Sequence, residues 1–182
     1  MEMQRLVTFA VFLAFGASAL AVQPVPRKSP EFAIVEPSGK QTLLSSLRGK
    51  VVVVEFLMTN CPHCQRVSRT IANVHQELGP RGFQPIGIAF EPGVTPRMVT
   101  GFVQQFGVGY PLGYSSPEAV DTYLGRSAVE RLMVPQIVVI DREGVIRAQS
   151  GRNGDPNLEN ENYLRNLLDS LLKEGAQTGK TK

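Results

Sequence analysis

Residues 51–64 read Val51-Val52-Val53-Val54-Glu55-Phe56-Leu57-Met58-Thr59-Asn60-Cys61-Pro62-His63-Cys64. A β-branched, apolar run ends in a turn, and the chain's only two cysteines follow, three positions apart. Beyond them Val67, Ile71, Val74 and Leu78 recur at i, i+4, i+7 and i+11, the spacing of one helix face. The stretch therefore predicts a strand, apolar enough to be covered on both faces, feeding a helix whose first turn carries C-x-x-C. A helix N-terminus offers unpaired N–H groups and a partial positive charge. A thiol placed there ionises more readily and becomes a nucleophile, so the pattern points to thiol–disulfide exchange.

The rest of the chain supplies an ordinary domain around this centre. At 182 residues and 42% hydrophobic content, one domain with a proper core is expected, with no need of disulfide staples. The net charge of +3 comes from scattered cations and a few terminal lysines, a solvated surface and not a nucleic-acid footprint. Arg5, an apolar stretch from Leu6 to Leu20 and the Ala19-Leu20-Ala21 pattern read as an export signal over residues 1–21, cleaved or kept as an anchor. Residues 22–30, with three prolines, read as a linker, 31–173 as the domain and 174–182 as a flexible tail.

Within the domain, strands are expected at Glu31–Val35, Val51–Leu57, Phe83–Phe90 and in a hairpin of Gln136–Asp141 with Val145–Ser150. Helices are expected from Pro62 to Leu78, from Thr95-Pro96 to Gly107, from Ser116-Pro117 to Gly125, and from Asp155-Pro156 to Gly175. One helical turn is expected near Leu43, Leu44 and Leu47, and Ser127 to Glu130 has capping-box spacing. Strands alternating with helices and closed by a hairpin make an α/β sandwich around a mixed sheet.

C-x-x-C has other uses. Structural zinc needs about four ligands, and the pool here is Cys61, Cys64, His63 and His75 with no second cluster. Covalent haem attachment needs histidine after the second cysteine, where Gln65 stands. No metal or cofactor is expected beyond a redox-active Cys61–Cys64 disulfide. Cys61, at the cap, is the expected nucleophile, and Cys64, one turn in, the resolving thiol. Pro62 suits the first helical turn. With His63, whose imidazolium would favour a Cys61 thiolate, it forms the expected redox-tuning pair, although His63 also suits a plain exposed loop position. Glu55 is the one charge in the apolar strand. If buried, its carboxyl should hold a proton at unusually high pH and is suited to carry the proton that Cys64 must lose; at an edge it would simply reach water.

These residues resemble the thioredoxin superfamily, within it the exported TlpA/ResA-like thiol–disulfide oxidoreductases that border on the AhpC/TSA group. The resemblance runs from about Glu31 to Lys173 and rests on residues 51–56, Cys61-Pro62-His63-Cys64, Leu43–Lys50 and Val134–Asp141. It implies a thioredoxin-like three-layer sandwich, a cis Val134–Pro135 bond against the dithiol, substrate pairing at Val134, and a buried acid at Glu55. Residues 91–133 match the extra material of the exported branch. The resemblance also implies a monomeric, periplasmic or otherwise extracytoplasmic enzyme acting on protein disulfides, reset by a membrane-bound redox partner, with cytochrome c biogenesis as a family-typical setting. Asn60 stands where the family usually has Trp, and Pro-His is typical of oxidising Dsb-type enzymes. A reductant is expected, with a Dsb-type oxidase, a thiol peroxidase or a Sco-like copper chaperone as alternatives. The peroxidase lacks its strand proline before Thr59, and the chaperone its wider cysteine spacing.

Overall fold

The computed structural model describes residues 24–127 and 131–178. The export-signal segment, most of the Ser127–Glu130 pattern and the last four residues lie outside them. Strands form at β1 (Arg27–Lys28), β2 (Ala33–Val35), β3 (Gln41–Leu43), β4 (Val51–Leu57), β5 (Phe83–Ala89), β6 (Leu112–Tyr114), β7 (Gln136–Ile140) and β8 (Val145–Gln149). Helices form at α1 (Pro62–Leu78), α2 (Pro96–Phe106), α3 (Pro117–Leu124), α4 (Pro156–Glu159) and α5 (Glu161–Thr178). One sheet orders the strands β1-β8-β7-β4-β5-β6-β2-β3, with β4, β5 and β6 parallel and the other pairings antiparallel.

β4 lies at the centre, and all seven of its residues are buried. Its side chains alternate between two cores, as the period of a strand requires. Val51, Val53 and Leu57 pack with Val67 and Ile71 of α1, Phe102 of α2, and Leu164 and Leu168 of α5. Val52, Val54 and Phe56 pack on the other side with Phe32, Val120, Tyr123 and Ile146. The sandwich is therefore three-layered, and each fully buried Val, Leu or Phe contributes about 1.5–3 kcal/mol by leaving water.

Thr95 and Ser116 cap their helices, accepting hydrogen bonds from the N–H groups of Met98 and Ala119 at 3.3 Å. Each is followed by proline at the first helical position, as the sequence predicts. Other elements differ. Arg27–Lys28, read as linker, pairs as an edge strand with Ile146 and Val145. Two residues are too few to show periodicity, and the pairing is supplied by β8. The strands β3 and β6 were also illegible, each being three residues long and defined by its partner. The terminal helix breaks at Asn160, whose backbone is extended, and then continues through Gly175 to Thr178. Among the described residues, no helix is long and apolar enough to cross a membrane.

Candidate active site

The junction of β4 and α1 is pinned from several sides. The Cys61 N–H donates to the Met58 carbonyl at 3.1 Å, and Gln65 Nε2 donates to the Thr59 carbonyl at 3.2 Å. Thr59 donates both its N–H and its hydroxyl to Glu91 Oε1, the N–H at 2.9 Å. Glu91 follows β5, so the loop before the cysteines is tied to the neighbouring parallel strand. The sequence carried no signal for this pairing of residues 32 positions apart.

Cys61 is the N-cap of α1, and its Sγ accepts the backbone N–H of Cys64 at 3.2 Å. A donor from the first helical turn thus points at the sulfur, favouring negative charge there. Cys61 is partly exposed, whereas Cys64 is fully buried, and both are free thiols. Burial pushes the Cys64 thiol well up, and its hydrogen bond with Cys61 and the nearby charge of Glu55 act in the same direction. One sulfur is presented to solvent beside a donor while the other is kept protonated.

The Val134–Pro135 peptide is cis. The Val134 carbonyl lies 4.0 Å from Cys61 Sγ, so the loop before β7 comes against the nucleophile. Buried Gln136 holds this loop, donating to the Met133 and Gly151 carbonyls at 2.7 and 3.0 Å. The structure brings Cys61 next to Cys64 and to Val134, the residue before cis Pro135.

Glu55 is completely buried and faces the α1 layer with Val53 and Leu57. The Ser68 hydroxyl lies 3.0 and 2.9 Å from its two oxygens, and the Tyr110 hydroxyl donates to Oε2 at 3.0 Å. Burial raises its carboxyl to about 8; the Ser68 and Tyr110 hydrogen bonds act against the rise, and the Glu159 charge adds to it. The acid is therefore mostly protonated at neutral pH and close enough to its midpoint to exchange a proton. Ser68 and Tyr110 escaped sequence reasoning, since a serine in a helix and a tyrosine in a loop are ordinary until the fold aims them at one carboxyl.

His63 has a partner that local sequence does not reveal. Its Nε2 lies 2.8 Å from Glu159 Oε2, at the end of α4, and among the described residues it makes no hydrogen bond to Cys61. The imidazole between the cysteines has a carboxylate partner from the far end of the chain.

Comparison with known proteins agrees with this geometry. The model of the AhpC/TSA family matches residues 25–149. The chain belongs to that family. Thiol-disulfide oxidoreductase ResA of Bacillus thuringiensis (strain Al Hakam) is 25% identical over 143 residues, covering 79% of this chain and 78% of the relative. The solution structure of a putative protein disulfide isomerase from Bacteroides thetaiotaomicron superposes with a TM-score of 0.68 at 32% identity, covering 86% of this chain and 94% of the other. A thiol:disulfide interchange protein of the thioredoxin family from Chlorobium tepidum TLS gives 0.64 at 25% identity, covering 82% and 99%. With its C-x-x-C on a thioredoxin fold, this AhpC/TSA member is a thiol–disulfide oxidoreductase.

Proposed function

We propose that the protein reduces protein disulfides outside the cytoplasm, with Cys61 as nucleophile, Cys64 as resolving thiol and no cofactor beyond this couple. The observation that carries the reading is the unequal setting of the two sulfurs. Cys61 caps α1 at the surface with a backbone N–H on its Sγ, and Cys64 is sealed beneath it near a buried acid.

The chemistry follows from that asymmetry. A substrate disulfide laid against the Val134 backbone meets the Cys61 thiolate, which attacks one sulfur and expels the other as a thiolate. The intermediate is a mixed disulfide between Cys61 and the substrate. Cys64 must then lose its proton, which Glu55 in its ionised form accepts. The Cys64 thiolate attacks Cys61 Sγ, forming the Cys61–Cys64 disulfide and releasing the second substrate thiol. The substrate gains two electrons and the enzyme dithiol loses them. A membrane-bound dithiol partner returns them in this reading, as in the ResA-type setting of cytochrome c maturation, and export by residues 1–21 places the enzyme there.

The test is the reduction potential of the Cys61–Cys64 couple against glutathione, measured with turnover of a disulfide substrate such as insulin. A value nearer the thioredoxin range, about −270 mV, is expected for a reductant. A value near about −120 mV, the range of the Dsb oxidant, would reverse the direction of electron flow.

A further inference from the structure

The short helix α4 has no part in the dithiol chemistry, yet it delivers a carboxylate to the histidine that lies between the two cysteines. Asp155 caps α4 by accepting the N–H groups of Asn157 and Leu158, and Leu158 is buried at 1% exposure. Glu159, the last helical residue, is anchored through its N–H to the Asp155 carbonyl at 3.1 Å. The chain turns at Asn160 before α5 begins, so Glu159 is fixed against the first turn of α1. Gly154 leaves it room. With φ of +83° that position favours glycine, and a Cβ there would come within 3.1 Å of Glu159 Oε1.

The groove between α1 and α4 is lined by three charged or titratable side chains, His63, Arg66 and Glu159. Arg66 donates to the Pro62 carbonyl at 3.3 Å, and the group that Glu159 pairs with is His63, with Glu159 the less exposed of the two partners. The reach of this carboxylate extends inward, since it is among the charges that act on Glu55.

We propose that Glu159 sets the redox poise of the Cys61–Cys64 couple by pairing with His63, so that the histidine between the cysteines presents no net positive charge to Cys61. Glu159 is a positioning residue, acting through His63 and through its own field. An unopposed imidazolium would stabilise the Cys61 thiolate, hence the reduced form, and make the disulfide a stronger oxidant. Paired with a carboxylate, it loses that bias, and a motif that favours oxidation elsewhere is compatible with a reductant here. The inference rests on the dithiol reading and adds the residue that tunes it.

The experiment equilibrates the full chain with glutathione at pH 6, toward the acid end of the range in which imidazoles titrate. Protein disulfide and two glutathione thiols give protein dithiol and glutathione disulfide. Wild type, Glu159→Gln, His63→Gln and the double variant are compared, with far-UV circular dichroism confirming that each is folded. Glu159→Gln is expected to shift the equilibrium toward the dithiol by about fivefold, about 20 mV for a couple in which tenfold is about 30 mV. His63→Gln, which leaves the carboxylate alone, is expected to shift it the other way. The double variant should return to within about twofold of wild type, because a neutral pair has been removed as a unit. An unmoved or more reducing Glu159→Gln couple, or a double variant that does not return, overturns the proposal while leaving the dithiol reading intact. A wild-type protein that exchanges nothing with glutathione overturns both.

Discussion

Replacing Glu55 by glutamine is expected to stabilise the fold, and by more as the pH rises. In the unfolded chain this carboxyl releases its proton at about 4.5; in the folded protein burial holds it to about 8. Between those values the native state keeps a proton that the unfolded state gives up, so wild-type stability falls with increasing pH. The contribution is fully present below about 4.5 and is lost through about 8, at roughly 1.4 kcal/mol per pH unit in the window. Glutamine keeps the shape and an oxygen for Ser68 and Tyr110, but it has no proton to lose. The stability difference between the variant and wild type is therefore expected to widen by about 2.5 kcal/mol between pH 5 and pH 7. Urea unfolding of both proteins at pH 5, 6 and 7, analysed by linear extrapolation, measures it. Other titrating groups are common to both proteins and cancel in the difference. A gap that stays flat across this range refutes the reasoning, since the carboxyl would then ionise alike in both states.

Three further outcomes are expected. Cys64→Ser should accumulate a mixed disulfide between Cys61 and a disulfide substrate, seen as a mass adduct, whereas Cys61→Ser should form none. In single-turnover kinetics the resolution step should accelerate with pH to an inflection near 8, the midpoint of Glu55; Tyr110→Phe removes a hydrogen bond that favours the charged carboxylate and should move the inflection up by about half to one unit. Gly113→Ala would put a Cβ 2.6 Å from the Val35 carbonyl oxygen and from Ile34 Cγ2 in the adjacent strand; it should lower stability by about 2 kcal/mol or more in urea unfolding while leaving glutathione exchange at low denaturant unchanged.

What could be read from the sequence is what local pattern determines. The valines of β4 announce a strand buried on both sides because each face must find apolar partners. The caps Thr95 and Ser116 announce helices because a side-chain oxygen satisfies a nearby N–H. Cys61 belongs with them, since its position at a strand-to-helix junction marks it as a cap from local pattern alone. Glu55 was legible by contrast, as the only charge among apolar neighbours. The missed features depend on long-range contacts. Arg27–Lys28 becomes a strand only because β8 offers a free edge, and β3 and β6 only because β2 and β5 do. Tyr110 reaches Glu55 from 55 positions away and Ser68 from 13. The reading of His63 shows why this matters for function. Local spacing places an imidazole next to a nucleophilic sulfur and suggests tuning toward an oxidant. The fold brings Glu159 to the same imidazole at 2.8 Å, nearly a hundred positions along the chain. The C-x-x-C motif identifies the chemistry, but the charges that surround it are assembled only by tertiary structure.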